Sequence, residues 1–194
     1  MAKIILVGDA TSGKSTFLNY LESINAKFNI IFETGWQTMP PEIEKDKFQA
    51  TSWFIEYFYD RDKATAGLDN LIMEREFNYQ YPVAETSFLT GLITQEQKNS
   101  LIKRLDELSQ DLPLDGSDLV IHCLVPNEII RQRLLTRGLV KPKHKDNYWD
   151  VLRVQTEKYY RDKTDYVKID TAALSPDDFG KKLLNLFKEK KLMP

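Results

Sequence analysis

The sequence predicts an α/β domain of three layers, α/β/α, around a five-stranded parallel sheet. Three observations predict it: five short apolar runs, helical periodicity between them, and a glycine-rich turn joining the first run to the first helix. The runs lie at 4–7, 28–32, 71–73, 119–125 and 166–169. Most hold β-branched residues and are bounded by charges or glycine, as strands buried on both faces are. Between them, Phe17, Leu18 and Leu21 share one face of a helix opening at Lys14. Phe48, Trp53, Phe54, Tyr57 and Phe58 mark a long aromatic helix, largely a core stripe. Leu101, Leu105 and Leu108 mark another, and Ile129, Ile130, Leu134 and Leu135 a fourth. The last carries Phe179, Leu183, Leu184, Leu186 and Phe187 and is entered through Ser175-Pro176-Asp177-Asp178, a capping sequence. Strand–helix alternation implies right-handed crossovers, and ligands of such sheets sit at the carboxyl ends of the strands.

No repeat or linker divides the 194 residues, so one domain is expected over 1–194. A formal net charge of −2 gives no global field toward nucleic acid or an anionic membrane, and neither is an expected partner. The apolar runs are too short for a signal-peptide core or a membrane span, which points to the cytoplasm. Cys123, the one cysteine, falls inside an apolar run and reads as a core residue. His122 reads as a satisfied strand histidine, and neither it nor His144 has metal-ligand company.

Gly8-Asp9-Ala10-Thr11-Ser12-Gly13-Lys14-Ser15-Thr16 fits G-x-x-x-x-G-K-[ST] at every fixed position, after a strand and before a helix. Glycines let the backbone curl around phosphate with its N–H groups aimed inward, and the helix N-terminus adds its dipole. Lys14 supplies a cation for the β- and γ-phosphates and is expected exposed to ligand, outside the core. Ser15 offers a hydroxyl to Mg²⁺. The motif assigns the P-loop NTPase fold, with ATP and Mg²⁺ as cofactors.

No guanine-reading Asn-Lys-x-Asp occurs, and the chain is short for a motor ATPase. A small-molecule kinase needs a base for the acceptor, charged groups at the phosphates and a mobile cationic lid. Glu33, at the end of the second run, could accept a hydroxyl proton. Glu74 could bind Mg²⁺ through water, and Arg75 could neutralise charge on the transferring phosphoryl group. Arg133 and Arg137 lie one helical turn apart and can act on one phosphate chain. The basic run Lys141-Pro142-Lys143-His144-Lys145 follows, so a lid is expected over about 133–150.

These pieces in this order resemble the deoxynucleoside kinase family, within the wider group that includes thymidylate kinases. Glu33, Phe48-Gln49, Glu74-Arg75 and Arg133-x-x-x-Arg137-Gly138 carry the resemblance, which spreads over nearly the whole chain. It implies that Glu33 is the general base and that Trp36 lines a nucleoside pocket. It also implies that Phe48-Gln49 reads the base through the glutamine amide, which offers both donor and acceptor. The family's Glu-Arg-Ser is Glu74-Arg75-Glu76 here, and Leu139 stands in place of a third lid arginine. Related enzymes pair through aromatic helices, so some of the residues from Trp53 to Tyr59 could line the pocket or a homodimer face.

The leading expectation is transfer of the ATP γ-phosphate to the 5′-hydroxyl of a small-molecule (deoxy)nucleoside. A thymidylate-type kinase acting on a monophosphate is the nearest alternative, which a basic lid would suit. A regulatory module that holds ATP without turnover is a third.

Overall fold

The computed structural model describes residues 2–112, 116–136, 138 and 147–193. Five strands, β1 (Lys3–Gly8), β2 (Asn29–Ile31), β3 (Leu71–Glu74), β4 (Leu119–Leu124) and β5 (Asp165–Asp170), form one sheet in the order β2-β3-β1-β4-β5. Every pairing is parallel; Leu6 stands beside Glu74 on one side and Ile121 on the other. β1 is central because its interior is apolar: residues 4–7 are wholly buried. Its side chains alternate between two faces. Ile4 and Leu6 join Phe17, Leu18 and Leu21 of α1 (Lys14–Ser23) and Phe179, Leu183 and Phe187 of the C-terminal helix, while Ile5 and Val7 point to the opposite layer.

That second layer holds the short α2 (Gly35–Thr38) and α3 (Pro41–Glu44), the long α4 (Lys47–Thr65) and a 3-10 turn (Phe77–Tyr79). α5 (Gln80–Leu89), α6 (Gln95–Ser109), α7 (Asn127–Thr136) and α8 (Tyr148–Tyr160) follow, and α9 (Pro176–Glu189) closes the chain on α1. The expected cap at Ser175 is present, and Asp46 supplies another. Ser175 Oγ accepts from Asp178 N at 3.1 Å, and Asp46 Oδ1 accepts from Phe48 N at 2.8 Å to open α4. In α4, Phe54 and Phe58 are buried, with Trp53, Tyr57 and Tyr59 packed partly against the same cluster, so the core-stripe expectation holds.

Besides the one-turn α2 and α3, the longer helices α5 and α8 had no counterpart in the periodicity. β2 is shorter than the 28–32 run, because Phe28 and Phe32 leave the ladder to pack on the α1–α9 layer, Phe28 lying 5.8 Å from the Phe187 ring. Cys123 is buried, and burial pushes its thiol up to about 12. His122 is buried against the Tyr166 hydroxyl, and burial pulls its pKa down to about 3, so the ring is neutral at pH 7. Among the described residues no helix is long and apolar enough to cross a membrane.

Candidate active site

Parallel pairing brings the carboxyl ends of β1, β2 and β3 to one edge of the sheet, and the polar residues singled out in the sequence meet there. At the end of β1 the chain enters the P-loop through Gly8, whose φ is 129°. A Cβ at Gly8 would sit 2.2 Å from the Cys123 carbonyl oxygen, so only glycine lets the loop leave β1 this close to β4. Gly13, at φ 91°, returns the chain into α1.

Lys14 departs from expectation. Its side chain is buried rather than held out to a ligand. The ammonium folds back on the cradle, donating to Asp9 O at 2.7 Å, Gly8 O at 3.2 Å and Ser12 Oγ at 3.3 Å. An ammonium enclosed by the loop finds the best acceptors it has in those carbonyls. Burial, and then the nearby Arg75 charge, lower its pKa. Ala10, Thr11, Ser12 and Thr16 complete the loop, and Thr171 Oγ1 pins it by donating to Ser12 O at 2.8 Å.

Ser15 Oγ donates to Glu74 Oε1 at 2.8 Å, and Glu74 Oε2 accepts from Glu33 N at 3.2 Å. Glu33 and Arg75 form a close ion pair through Glu33 Oε2 and Nη1 of the arginine, and the other terminal nitrogen of Arg75 donates to Gly8 O at 3.1 Å. The Arg75 guanidinium also lies 5.1 Å from the Tyr79 ring. Burial opposes this charge, but Glu33, Tyr79 and Glu74 outweigh it and raise the pKa, so Arg75 is a fixed cation. Its backbone is held as firmly: Arg61 of α4 donates to Glu74 O at 2.9 Å and Arg75 O at 2.7 Å. Arg133 of α7 reaches the P-loop, donating to Thr11 O at 2.8 Å.

The structure thus gathers Gly8 to Thr16, Glu33, Glu74, Arg75 and Arg133. Other candidates stand further out. Trp36, 46% exposed on α2, packs its ring 4.7 Å from that of Phe54. Phe48 is half-buried against the α4–α6 cluster. Gln49 is exposed on the first turn of α4, its N–H taken by Asp46 Oδ1 at 3.0 Å. Arg137 and residues 139–146 of the lid lie outside the described residues. Glu76 turns away from the cradle toward Lys3, at 3.4 Å, beside a cavity of about 620 Å³, so it does not join Asp9, Glu33 and Glu74 there.

Buried polar atoms without a hydrogen-bond partner cluster here: Asp9 Oδ1, Thr11 Oγ1 and Arg75 Nε. A ligand rich in acceptors would satisfy the Arg75 donor. Among the described residues no three or more His, Cys, Asp or Glu form a metal cluster. Mg²⁺ needs only one or two protein oxygens, such as the Ser15 hydroxyl and the Glu74 carboxylate could supply, and completes its shell with phosphate and water.

No family model and no curated protein sequence matches the chain. Solved structures do match. The deoxyadenosine kinase from M. mycoides with the products dCMP and a flexible dCDP bound superposes with a TM-score of 0.78 at 20% identity, over 96% of this chain and 99% of that one. The fold is that of a deoxynucleoside kinase. The same kinase with bound dATP gives 0.78 at 19% identity, covering 96% of this chain and 99% of that one. Thymidylate kinase from Candida albicans gives 0.63 at 18% identity, covering 98% of this chain and 93% of that one.

Sequence reading missed Arg61, which holds the Glu74 and Arg75 carbonyls, and Arg153 on α8. Nε of Arg153 donates to Asp9 Oδ2 at 2.6 Å. The signal for Arg153 was present but weak: Tyr148, Leu152, Thr156 and Tyr160, four apart, are the buried stripe of α8, and Arg153 lies just beside it.

Asp9 itself makes a testable prediction. Burial raises its pKa from 3.8 to about 6, against the lowering effects of Arg153, Lys14 and Arg75. An acid that binds its proton more tightly when folded is destabilising once ionised. The protein therefore loses stability as pH rises from about 4 to about 6, by about 3 kcal/mol from this group. Asp9→Asn removes the titration, so its stability relative to the parent should climb across that window and level off above it. Denaturant melts of both proteins at several pH values measure this, and a flat difference would show that Asp9 does not titrate there.

Proposed function

We propose that the chain is an ATP-dependent deoxynucleoside kinase, transferring the γ-phosphate to the 5′-hydroxyl of a deoxynucleoside. The Glu33–Arg75 pair carries this reading: a carboxylate, oriented by a fixed arginine that also touches Gly8, stands directly beside the phosphate cradle. An alcohol acceptor must lose a proton as it attacks, whereas a monophosphate acceptor is already ionised and needs cations instead. A well-placed carboxylate therefore favours the alcohol. The proton passes from the 5′-oxygen to Glu33 while that oxygen bonds to the γ-phosphorus and the bond to the β-phosphate oxygen breaks. Lys14 leaves its carbonyls for the β- and γ-phosphates, and Arg75 and Arg133 balance charge on the transferred group. Ser15 and Glu74 would hold Mg²⁺, which when bound neutralises phosphate charge. The M. mycoides structures, of a deoxyadenosine kinase with deoxynucleotides bound, support the substrate class.

Incubation with ATP and Mg²⁺ and a panel of nucleosides and nucleoside monophosphates, scored for ADP, tests the reading. ADP formed only with nucleosides supports it. ADP formed only with thymidylate assigns the monophosphate alternative, and ATP binding without acceptor-dependent ADP assigns the regulatory one.

The role proposed for Gln49 requires the base to engage an amide that the described structure leaves exposed. Gln49→Ala is expected to lower kcat/KM for the preferred deoxynucleoside roughly tenfold to a hundredfold and to flatten discrimination among the four bases, with KM for ATP nearly unchanged. Unchanged kcat/KM ratios across deoxyadenosine, deoxyguanosine, deoxycytidine and thymidine would remove Gln49 from the site.

A further inference from the structure

Arg153 belongs to the helix that follows the lid region, yet its guanidinium reaches into the phosphate cradle. Nε and one terminal nitrogen each lie 2.6 Å from Asp9 Oδ2. That terminal nitrogen also donates to Val125 O at 2.7 Å and Asn127 Oδ1 at 2.9 Å, and the other donates to Asp150 Oδ1 at 2.9 Å. One cation thus ties together the P-loop, the segment after β4 and the first turn of α8. Asp9 is fully buried, and its second oxygen has no hydrogen-bond partner among the described residues.

A buried carboxylate at the second position of a cradle for polyphosphate is an electrostatic conflict, because like charges away from bulk water repel strongly. The conflict is removed by a fixed counter-cation or by a proton. Lys14 is committed to the phosphates and Arg75 to Glu33, which leaves Arg153. We infer that Arg153 is a positioning residue for the phosphate donor, neutralising and holding the Asp9 carboxylate so that the cradle accepts a polyphosphate despite carrying an acid. The inference rests on the reading of the cradle as an ATP site and adds a requirement particular to this chain: the arginine acts through Asp9, not through the nucleotide.

The charged and titratable groups around Asp9 are Arg153 from α8, Lys14 from α1, Arg75 after β3, Tyr79 from the 3-10 turn and Cys123 from β4. Without Arg153 a proton on Asp9 has to do its work, so ATP binding takes up a proton and weakens as pH rises. A purely structural role in seating α8 would give a loss that is independent of pH and indifferent to Asp9.

The test is calorimetric binding of MgATP, with KM for ATP and for the acceptor, in the parent, Arg153→Gln, Arg153→Lys and the double variant Asp9→Asn/Arg153→Gln, at about pH 6 and about pH 8. Arg153→Gln should weaken ATP binding roughly tenfold to a hundredfold near pH 8 and less near pH 6, with acceptor KM nearly constant. Arg153→Lys should lie between parent and Gln variant, and the double variant should recover most of the lost affinity. An unchanged ATP affinity in Arg153→Gln, or a loss that persists in the double variant, overturns the inference. If Arg153→Gln does not fold, the double variant decides: a folded double variant that binds MgATP supports the inference, and an unfolded one overturns it. A parent that binds no MgATP overturns the functional reading itself.

Discussion

Replacing Lys14 by alanine, or by methionine to keep the length of the stem, is expected to reduce phosphoryl transfer below about one per cent of the parent. Loss of a positioned cation at the developing charge normally costs several kcal/mol, about a hundredfold or more in rate. The structure adds a second consequence. Lys14 is buried and donates to the carbonyls of Gly8 and Asp9. Its removal strips the cradle of those bonds, at about 1 kcal/mol of stability each on the usual scale. It also relieves the burial that lowers the Lys14 pKa, so the two effects oppose each other. ATP turnover and a thermal melt should be measured together. A variant that remains folded and keeps more than about one per cent of its activity would remove Lys14 from the reaction and with it the phosphate-cradle assignment.

Glu33→Gln should lower kcat on a nucleoside by roughly two to four orders of magnitude, the usual range for loss of a general base. The amide keeps the shape and one acceptor for Arg75, so the arginine stays in place while proton acceptance is lost. The decisive measurement is the pH–rate profile. An acidic limb present in the parent and absent from the variant identifies Glu33 as the base. The same limb in both would assign the proton to another group and turn the Glu33–Arg75 pair into a structural contact.

The residues that sequence reading placed together are those that follow strands. Glu33, Glu74 and Arg75 sit at the ends of β2 and β3, and any parallel sheet with β1 between its neighbours brings such positions to one edge. Strand positions were legible because buried parallel strands are apolar on both faces, as β1 and β4 are. The helices that escaped notice have unusual interiors. α8 buries Tyr148, Leu152, Thr156 and Tyr160, three of which carry hydroxyls, and α5 buries Gln80, Pro82, Ala84, Thr86 and Ser87, with no large aliphatic residue among them. Apolar periodicity is blind to such stripes. Pro82 sits in the first turn of α5, where a proline removes no intrahelical bond. Arg153 was hidden twice over, on an unrecognised helix and with its partner at a position the P-loop pattern leaves free. The burial of Lys14 depends on the cradle's own carbonyls, which no side-chain pattern encodes.

The sheet's two borders limit how copies of this chain can meet. β2 offers only Asn29–Ile31, too short a rail for a foreign strand to zip along, and β5 carries Asp165, Lys168 and Asp170 on the opposite border. Stubby and charged borders are how proteins discourage strand-by-strand growth into fibres or continuous intermolecular sheets. Any pairing of two molecules is therefore steered to the helical layers and away from the sheet borders.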